Sequence, residues 1–183
     1  MLLNLLYAAL VTRFTEQTVD LDVDPFVPDG WRLVEHKKGG KFEWNSSNLK
    51  LYVSPNQQGK SGIGGNQLRE ELKGKSPYNA NLLDYLLENP DLVPEQWKGK
   101  FVYFWGTVYQ DTGDKTCVRC LCRHRGEWRW HYGWLESDFI GSEPAVVPAL
   151  LPALSAGRIL RKEGSGSHAR AQQSFGRTEL GAQ

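Results

Sequence analysis

Five residues that could bind a metal ion or act as a nucleophile or base lie close together in the second half of the chain. They are Cys117, Cys120, Cys122, His124 and His131. Cys117 and Cys120 have the spacing of half a zinc knuckle, and a cysteine beside a histidine base is the pairing that activates a thiol. Zinc binding and thiol catalysis are therefore the first two chemistries to consider.

The local sequence argues against both chemistries. Residues 116–124 have strand composition, and on a strand Cys117 and Cys120 face opposite ways. Cys120 and Cys122 share a face but lie about 6.5–7 Å apart, which is wide for one tetrahedral ion. No third orienting group and no oxyanion loop is recognisable in the sequence. We predict no enzyme activity, no metal and no cofactor, and we keep a small zinc-binding domain as an alternative.

Three strands are predicted to position these residues. Phe101–Tyr109, Thr116–His124 and Glu127–Leu135 are each rich in aromatic or β-branched side chains. Turn residues separate these segments at 111–114 and at Arg125-Gly126, so the last two strands form a hairpin.

The third predicted strand separates an aromatic face from a polar face. Its tryptophans alternate with polar residues, so they line one side of the strand. We predict that this side is core and that the opposite side, with the following loop, is displayed to a ligand. The predicted core residues are Trp105, Trp128, Trp130 and Trp134. The predicted ligand-binding residues are Cys120, Cys122, His124, Arg129, His131, Tyr132, Gly133, Ser137, Asp138 and Ile140.

The predicted ligand-binding residues share no common chemistry. An active site usually has a few matched groups, whereas a mixed surface on a rigid aromatic base is typical of recognition. We therefore predict a binding module whose partner is a protein or a glycan. A nucleic-acid-binding domain is the alternative, because four arginines between Arg119 and Arg129 alternate with aromatic residues as on stacking platforms. The net charge of +1 gives the whole molecule no bias towards nucleic acid.

A series of spaced motifs resembles a group of uncharacterised proteins from uncultured, small-genome candidate-phyla bacteria. The motifs are Asn79-Ala-Asn-Leu-Leu-Asp-Tyr-Leu-Leu-Glu-Asn-Pro90, Val93-Pro-Glu-Gln-Trp-Lys-Gly-Lys100, Phe104-Trp-Gly-Thr107, Cys117-Val-Arg119, Gly126, Trp128-x-Trp130, Trp134-Leu135 and Pro144-Ala145. The resemblance extends over residues 25–147. The C-terminal segment of that group keeps such a skeleton while the residues between differ freely. This combination of fixed motifs and variable residues makes the segment similar to the variable end of C-type-lectin-like target proteins of diversity-generating retroelements.

The resemblance to retroelement targets implies which residues vary. Such systems mutate template adenines, so that an AAY codon becomes NNY, which encodes Cys, His, Arg, Tyr, Gly, Ser, Asp and Ile but not Trp or Glu. The resemblance therefore implies that residues 116–145 are hypervariable at the predicted ligand-binding positions and fixed at the tryptophans. Glu127, Glu136 and Glu143 do not fit and would be template-encoded. Arg123 stands where the group usually has an aromatic residue.

One domain with an extension at each end is predicted for the whole chain. Residues 1–11 form an apolar leader or a first helix turn, residues 12–147 a single α+β binding domain, and residues 148–183 a disordered tail. The apolar run is too short to span a bilayer and lacks a basic n-region. We therefore predict no membrane span and favour a cytoplasmic location over export.

The residues before the aromatic strands mix strand and helix patterns. Trp31–His36 and Lys41–Trp44 predict a hairpin around a glycine-containing turn. Two helices follow: Asn66–Lys73, with its first residue as N-cap and Gly74 as terminator, and Asn79–Glu88, whose leucines share one stripe. The predicted fold class is α+β, an antiparallel sheet with two short helices, and a C-type-lectin-like arrangement is compatible with it.

Overall fold

The structure is a computed structural model that describes residues 17–58 and 62–149. The predicted leader at residues 1–11 lies outside the described residues, as does the predicted tail apart from Pro148 and Ala149. Pro148 is the last residue of a strand and pairs with Leu49.

Strands dominate the described residues, with two short α-helices between them. The strands are β1 (Thr18–Asp20), β2 (Arg32–His36), β3 (Lys41–Glu43), β4 (Leu49–Tyr52), β5 (Ile63–Gly64), β6 (Val102–Tyr103), β7 (Thr107–Gln110), β8 (Thr116–His124), β9 (Glu127–Trp134), β10 (Asp138–Phe139) and β11 (Ala145–Pro148). The helices are α1 (Gly65–Leu72) and α2 (Ala80–Glu88). The predicted α+β class is confirmed.

The main sheet is curled and mostly antiparallel. In the described part of the chain its strand order is β2-β7-β8-β6-β11-β4, and β9 pairs with β8 as a further strand. Its pairings are antiparallel except that between β6 and β11, which is parallel. The remaining pairs are two small antiparallel sheets, β1 with β3 and β5 with β10. The prediction of an antiparallel sheet is therefore corrected, because one strand pair, β6 with β11, is parallel.

Strand β8 is the backbone of the region that carries the predicted site. One of its edges pairs with β9 from Cys117 to His124. Its other edge pairs with β7 at Cys117 and then with β6 at Leu121. Residues 117–122 are buried, whichever face their side chains point to. A strand covered on both faces has buried side chains pointing to both sides of the sheet, and β8 does so.

Helix α2 joins the core through its leucines, as its stripe predicts. Leu82, Leu83 and Leu86 are fully buried. Asn79 caps the helix, because its side-chain oxygen accepts a hydrogen bond from the Asn81 N–H at 3.2 Å. The helix starts one residue later than predicted because Asn79 is the cap and not the first helical residue.

Helix α1 starts differently from the prediction, because Asn66 is not its N-cap. The N–H groups of Gly65 and Asn66 donate to the carbonyl oxygens of Ser137 (2.9 Å) and Leu135 (3.1 Å). The loop before β10 thus satisfies helix N–H groups that a capping side chain would otherwise satisfy. A Cβ on Gly65 would lie 2.6 Å from Phe139 Cε2, so the close approach requires glycine.

The hairpin predicted at residues 31–44 does not form. Strand β2 pairs with β7 and β3 pairs with β1, so the segment between them crosses from one sheet to another. The buried side chain of Asn79 holds this crossing, since its Nδ2 donates to the carbonyl oxygens of Leu21 (2.7 Å) and Lys37 (2.9 Å). A side chain distant in sequence thus decides the path of a turn-like segment.

Two further predicted boundaries shift. The predicted strand Phe101–Tyr109 is divided into β6 and β7, because Gly106 packs against the backbone before α2 with no room for a Cβ. This division lets β8 pair with both short strands in succession. At the end of α1 the chain continues as a 3₁₀ turn, Lys73–Lys75, and it is Ser76, at φ +49°, that takes the left-handed conformation expected of Gly74.

A buried ion pair ties α2 to β8. The Arg119 side chain is 1% exposed, and its Nη2 and Nη1 donate to Asp84 Oδ1 (2.7 Å) and Oδ2 (3.1 Å). Its guanidinium carbon lies 4.8 Å from the ring centre of Trp130 and 5.1 Å from that of Phe26. The Arg119 Nε is buried and has no hydrogen-bond partner among the described residues. The Asp84 carboxylate is therefore the group that neutralises this buried charge.

Removing Asp84 should destabilise the fold strongly. We expect Asp84→Ala to lower the free energy of unfolding by an amount near the lower end of about 3–5 kcal/mol, because Arg119 would remain buried and unpaired. Glu95→Ala breaks the exposed ion pair with Lys98 and should leave the free energy of unfolding nearly unchanged. Urea denaturation measures both. Equal losses in the two variants would show that the buried pair does not support the fold.

Candidate functional site

Three neighbouring strands build the face on which most of the predicted ligand-binding residues lie. Cys120 in β8 stands between Tyr103 of β6 and His131 of β9. Cys122, two residues further along β8, is opposite Arg129. Because alternate residues of a strand share a face, the two cysteines and the two β9 side chains lie on one side of the sheet.

A shallow cleft of about 440 Å³ lies on this side of the hairpin. It is lined by Phe101, Cys122, Arg123, His124, Arg129, Trp130 and His131. Its floor includes a cysteine, whose small side chain leaves a depression between larger neighbours. The Phe101 ring lies 6.3 Å from that of His131 at 82°. The cleft therefore has an aromatic wall on one side and basic or imidazole groups on the other.

The cysteines form the base of this face and are not displayed. Cys120 is fully buried and Cys122 is 8% exposed. Cys117 points to the other face, where it packs with Tyr109 and Ala80. The prediction that Cys120 and Cys122 present their thiols to a ligand is corrected, because Cys120 packs in a core cluster with Tyr103 and Cys122 is almost fully buried.

Burial keeps the three thiols protonated. It raises the pKa of Cys117 to about 12, with a further contribution from the nearby Asp111 carboxylate. Burial also raises the pKa of Cys120 and of Cys122 above the ordinary value of 9.0. Nucleophilic and metal-binding chemistry both need the thiolate, which this environment disfavours.

Gly133 is a packing position under the site. A Cβ there would lie 2.7 Å from Tyr103 Oη and 3.1 Å from two carbons of the same ring. Tyr103 is buried, so it has little freedom to move away. Tyr132 is half-buried on the other face, where its ring meets the Trp31 ring edge-on at 5.0 Å. Both residues therefore pack as parts of the scaffold under the site.

Six of the predicted ligand-binding residues are exposed. They are His124, Arg129, His131, Ser137, Asp138 and Ile140. Arg129 Nη2 lies 2.7 Å from Glu127 Oε2, so its charge is shared with one exposed carboxylate. The imidazole Nδ1 of His131 accepts the Tyr132 N–H at 2.8 Å, which orients the ring across the strand.

The loop after β10 is fixed from below by a buried glutamine. Gln57 Nε2 donates to the carbonyl oxygens of Ile140 (3.0 Å) and Glu143 (3.1 Å). The Ile140 side chain nevertheless remains 44% exposed. The Phe101 N–H donates to the Ser142 carbonyl at 3.0 Å, so the loop meets the cleft at Phe101. The exposed loop residues are thus held on a rigid support next to the cleft.

The aromatic face of β9 is only partly core. Trp105 is 2% exposed, and Trp128 is half-buried, but Trp130 and Trp134 are 36% and 37% exposed. Trp130 and Trp134 are partly exposed because β9 is an edge strand. Among the described residues it pairs only with β8, so a neighbouring strand covers its tryptophans on one side only. Trp130 still packs edge-on against Trp31, with ring centres 6.1 Å apart.

The sequence did not identify the residues that complete the site. Phe101 is 41% exposed and forms a wall of the cleft, and Gln57 anchors the loop from more than 80 positions away. Trp31 supports the aromatic face of β9. Since each acts across a long sequence separation, no local pattern could have predicted their roles.

The arginines proposed for stacking with nucleic acid are largely engaged within the protein. Arg119 is buried against Asp84, and Arg129 pairs with Glu127. Arg123 Nε donates to the Gly126 carbonyl at 3.1 Å. Arg119 is thus unavailable for stacking, whereas Arg123 and Arg129 are exposed and each makes one such contact.

The chain matches no known protein family, no curated protein and no solved structure. Within residues 17–58 and 62–149, no group of three or more histidine, cysteine, aspartate or glutamate side chains is arranged to hold a metal ion. Among the described helices, none has both the length and the apolar character needed to cross a membrane.

Enlarging Gly133 should damage the packing under the site. We expect Gly133→Ala to lower the free energy of unfolding by about 1–3 kcal/mol, because the new methyl group overlaps the buried Tyr103 ring. Gly74→Ala is the matched control, since a Cβ there meets nothing within 4 Å and should change stability by less than about 0.5 kcal/mol. Thermal or urea denaturation measures both. Unchanged stability of Gly133→Ala would contradict the packing role.

The buried neutral groups should make the protein sensitive to alkali. The pKa values of Cys117 and Tyr109 are raised to about 12, mainly by burial. At pH 7, well below the ordinary pKa values of 9.0 and 10.0, both groups are neutral in the folded and unfolded chain. As pH rises towards 12, the unfolded chain ionises first, so the free energy of unfolding should fall. Urea titrations at pH 8 and 10.5 measure this, and Cys117→Ala should reduce the fall. A flat profile would refute the assignment.

Proposed function

We propose that this chain is a ligand-recognition module that binds a protein or a glycan through the cleft face of the β8–β9 hairpin and the loop after β10. The proposal includes a C-type-lectin-like arrangement and a role as a variable target of a diversity-generating retroelement. Two features support it: a mixed polar surface, and a scaffold that fixes that surface from beneath.

The observation that carries the proposal is the convergence of exposed and supporting residues at one cleft. His124, Arg129 and His131 border a depression whose opposite wall is Phe101. Buried thiols lie beneath, and the adjacent loop is anchored by Gln57. A rigid base reduces the conformational entropy that the surface loses when it binds a ligand.

The chemistry of the cleft favours a ligand with an acceptor or anionic group beside an apolar one. None of the residues that line the cleft is acidic, and Arg129, Arg123 and the two histidines are hydrogen-bond donors when protonated. Phe101 offers aromatic surface to an apolar ring or a sugar face. A carboxylate-bearing sugar or an acidic peptide with an aromatic residue satisfies both requirements.

The proposal is tested with a glycan array that contains neutral and carboxylate-bearing sugars, and with a peptide phage library. Affinity for the best hit is then measured for Arg129→Ala and for Arg32→Ala. These variants are matched, because each removes an exposed arginine in contact with one carboxylate, at 2.7 Å from Glu127 and 2.8 Å from Asp114. We expect Arg129→Ala to weaken binding about 10-fold or more, with unchanged stability, and Arg32→Ala to have no effect.

Two results would contradict the proposal. One is equal affinity in both variants, which would place the binding surface elsewhere. The other is the absence of any hit whose binding is lost with Phe101→Ala, since this change removes the opposite wall of the cleft and leaves Arg129 in place.

A further inference from the structure

Two connected grooves on the described surface are lined by lysines. The first, of about 390 Å³, contains Lys37, Lys38, Lys41 and Lys73. The second, of about 330 Å³, contains Lys50 and Lys75. Both are lined by Ser76 and Pro148, so they adjoin there. Six of the eleven lysines of the chain thus lie along one continuous path.

This path has little internal charge compensation. Neither groove is lined by an aspartate or a glutamate. Lys73 Nζ lies 2.6 Å from the exposed Glu70, and Lys37 Nζ lies 3.7 Å from Glu35, which also pairs with Arg69. The remaining four lysines make no ion pair within the part of the chain that the structure describes. Like charges held together attract an anionic ligand.

Three separate segments bring these lysines together. The crossing between β2 and β3 supplies Lys37 and Lys38, and Lys41 is the first residue of β3. The 3₁₀ turn after α1 supplies Lys73 and Lys75. Lys50 comes from β4, the last strand in the order of the main sheet. The local excess of charge is therefore a property of the fold, in a chain whose net charge is only +1.

Aromatic rings also line both grooves. Phe42 and Tyr78 line the first groove, half-buried and edge-on to each other at 5.2 Å. Tyr52 lines the second, and Lys75 Nζ lies 4.4 Å from its ring centre. A basic groove with partly exposed rings is the arrangement that holds a phosphate backbone while unpaired bases stack. A sulfated polysaccharide would use the charges alone.

We infer that the two connected lysine grooves bind the phosphodiester backbone of a single-stranded nucleic acid. This site is separate from the hairpin cleft, because no residue lines both. It also differs from the arginine-rich face of the hairpin, because no arginine lines either groove. The grooves read no base sequence, since lysines on flexible stems contact phosphates as point charges.

The test uses the full chain and fluorescein-labelled dT20 and U20, with affinity measured by anisotropy from 20 to 200 mM salt. The groove variant is Lys38→Gln/Lys41→Gln/Lys75→Gln. The matched control, Lys98→Gln/Lys100→Gln/Lys115→Gln, removes the same net charge from lysines outside both grooves. We expect the groove variant to bind at least 10-fold more weakly and to reduce the slope of log affinity against log salt by about 2. The control should match the wild type.

Equal weakening in the two triple variants would overturn the inference, because it would show binding through net charge alone. Tight binding of a sulfated polysaccharide with no binding of either oligonucleotide at 20 mM salt would also overturn it. Arg129→Ala should leave oligonucleotide affinity unchanged, and the groove variant should leave the ligand affinity of the cleft unchanged. The two sites can therefore fail or succeed independently.

Discussion

The hairpin depends on the buried pair between Arg119 and Asp84. Arg119 lies on the central strand β8, and its guanidinium reaches the helix on one side of the sheet while the Trp130 ring covers it. A charge that is 1% exposed requires a fixed partner, so this contact sets the distance between α2 and the sheet. It also explains why the partly exposed tryptophan of an edge strand can keep a defined position.

The two faces of the hairpin carry different kinds of side chains. The helix side carries the ion pair and the tryptophans, and the other side carries a floor of buried thiols with Tyr103 packed against Gly133. Only the side chains that project beyond this floor are free to differ without disturbing the packing. This separation of support from surface is what a recognition module requires, because the surface can change while the fold persists.

Local sequence patterns predict the strands and helices, whereas packing between distant segments determines which of their side chains are buried. The bounds of β8 match the prediction, and β9 ends one residue earlier. Helix α2 has the predicted leucine stripe and begins one residue later than predicted, because alternation, turns and helix periodicity are local signals. The burial of the tryptophans was overestimated, since sequence does not show that β9 is an edge strand. The cysteines were placed on the surface, because alternation identifies a shared face but not whether that face is covered. The lysine grooves were missed because three distant segments form them.

The most direct test of the account is deep sequencing of this gene across its natural population, over codons 116–145. The account predicts that amino-acid changes concentrate at the exposed positions His124, Arg129, His131, Ser137, Asp138 and Ile140. It predicts none at the support positions Arg119, Cys120, Gly133 and Trp130, whose packing each change would disturb. Variation that is sparse and mostly synonymous, or that falls equally on exposed and buried positions, would contradict the claim that this hairpin is a diversified recognition surface.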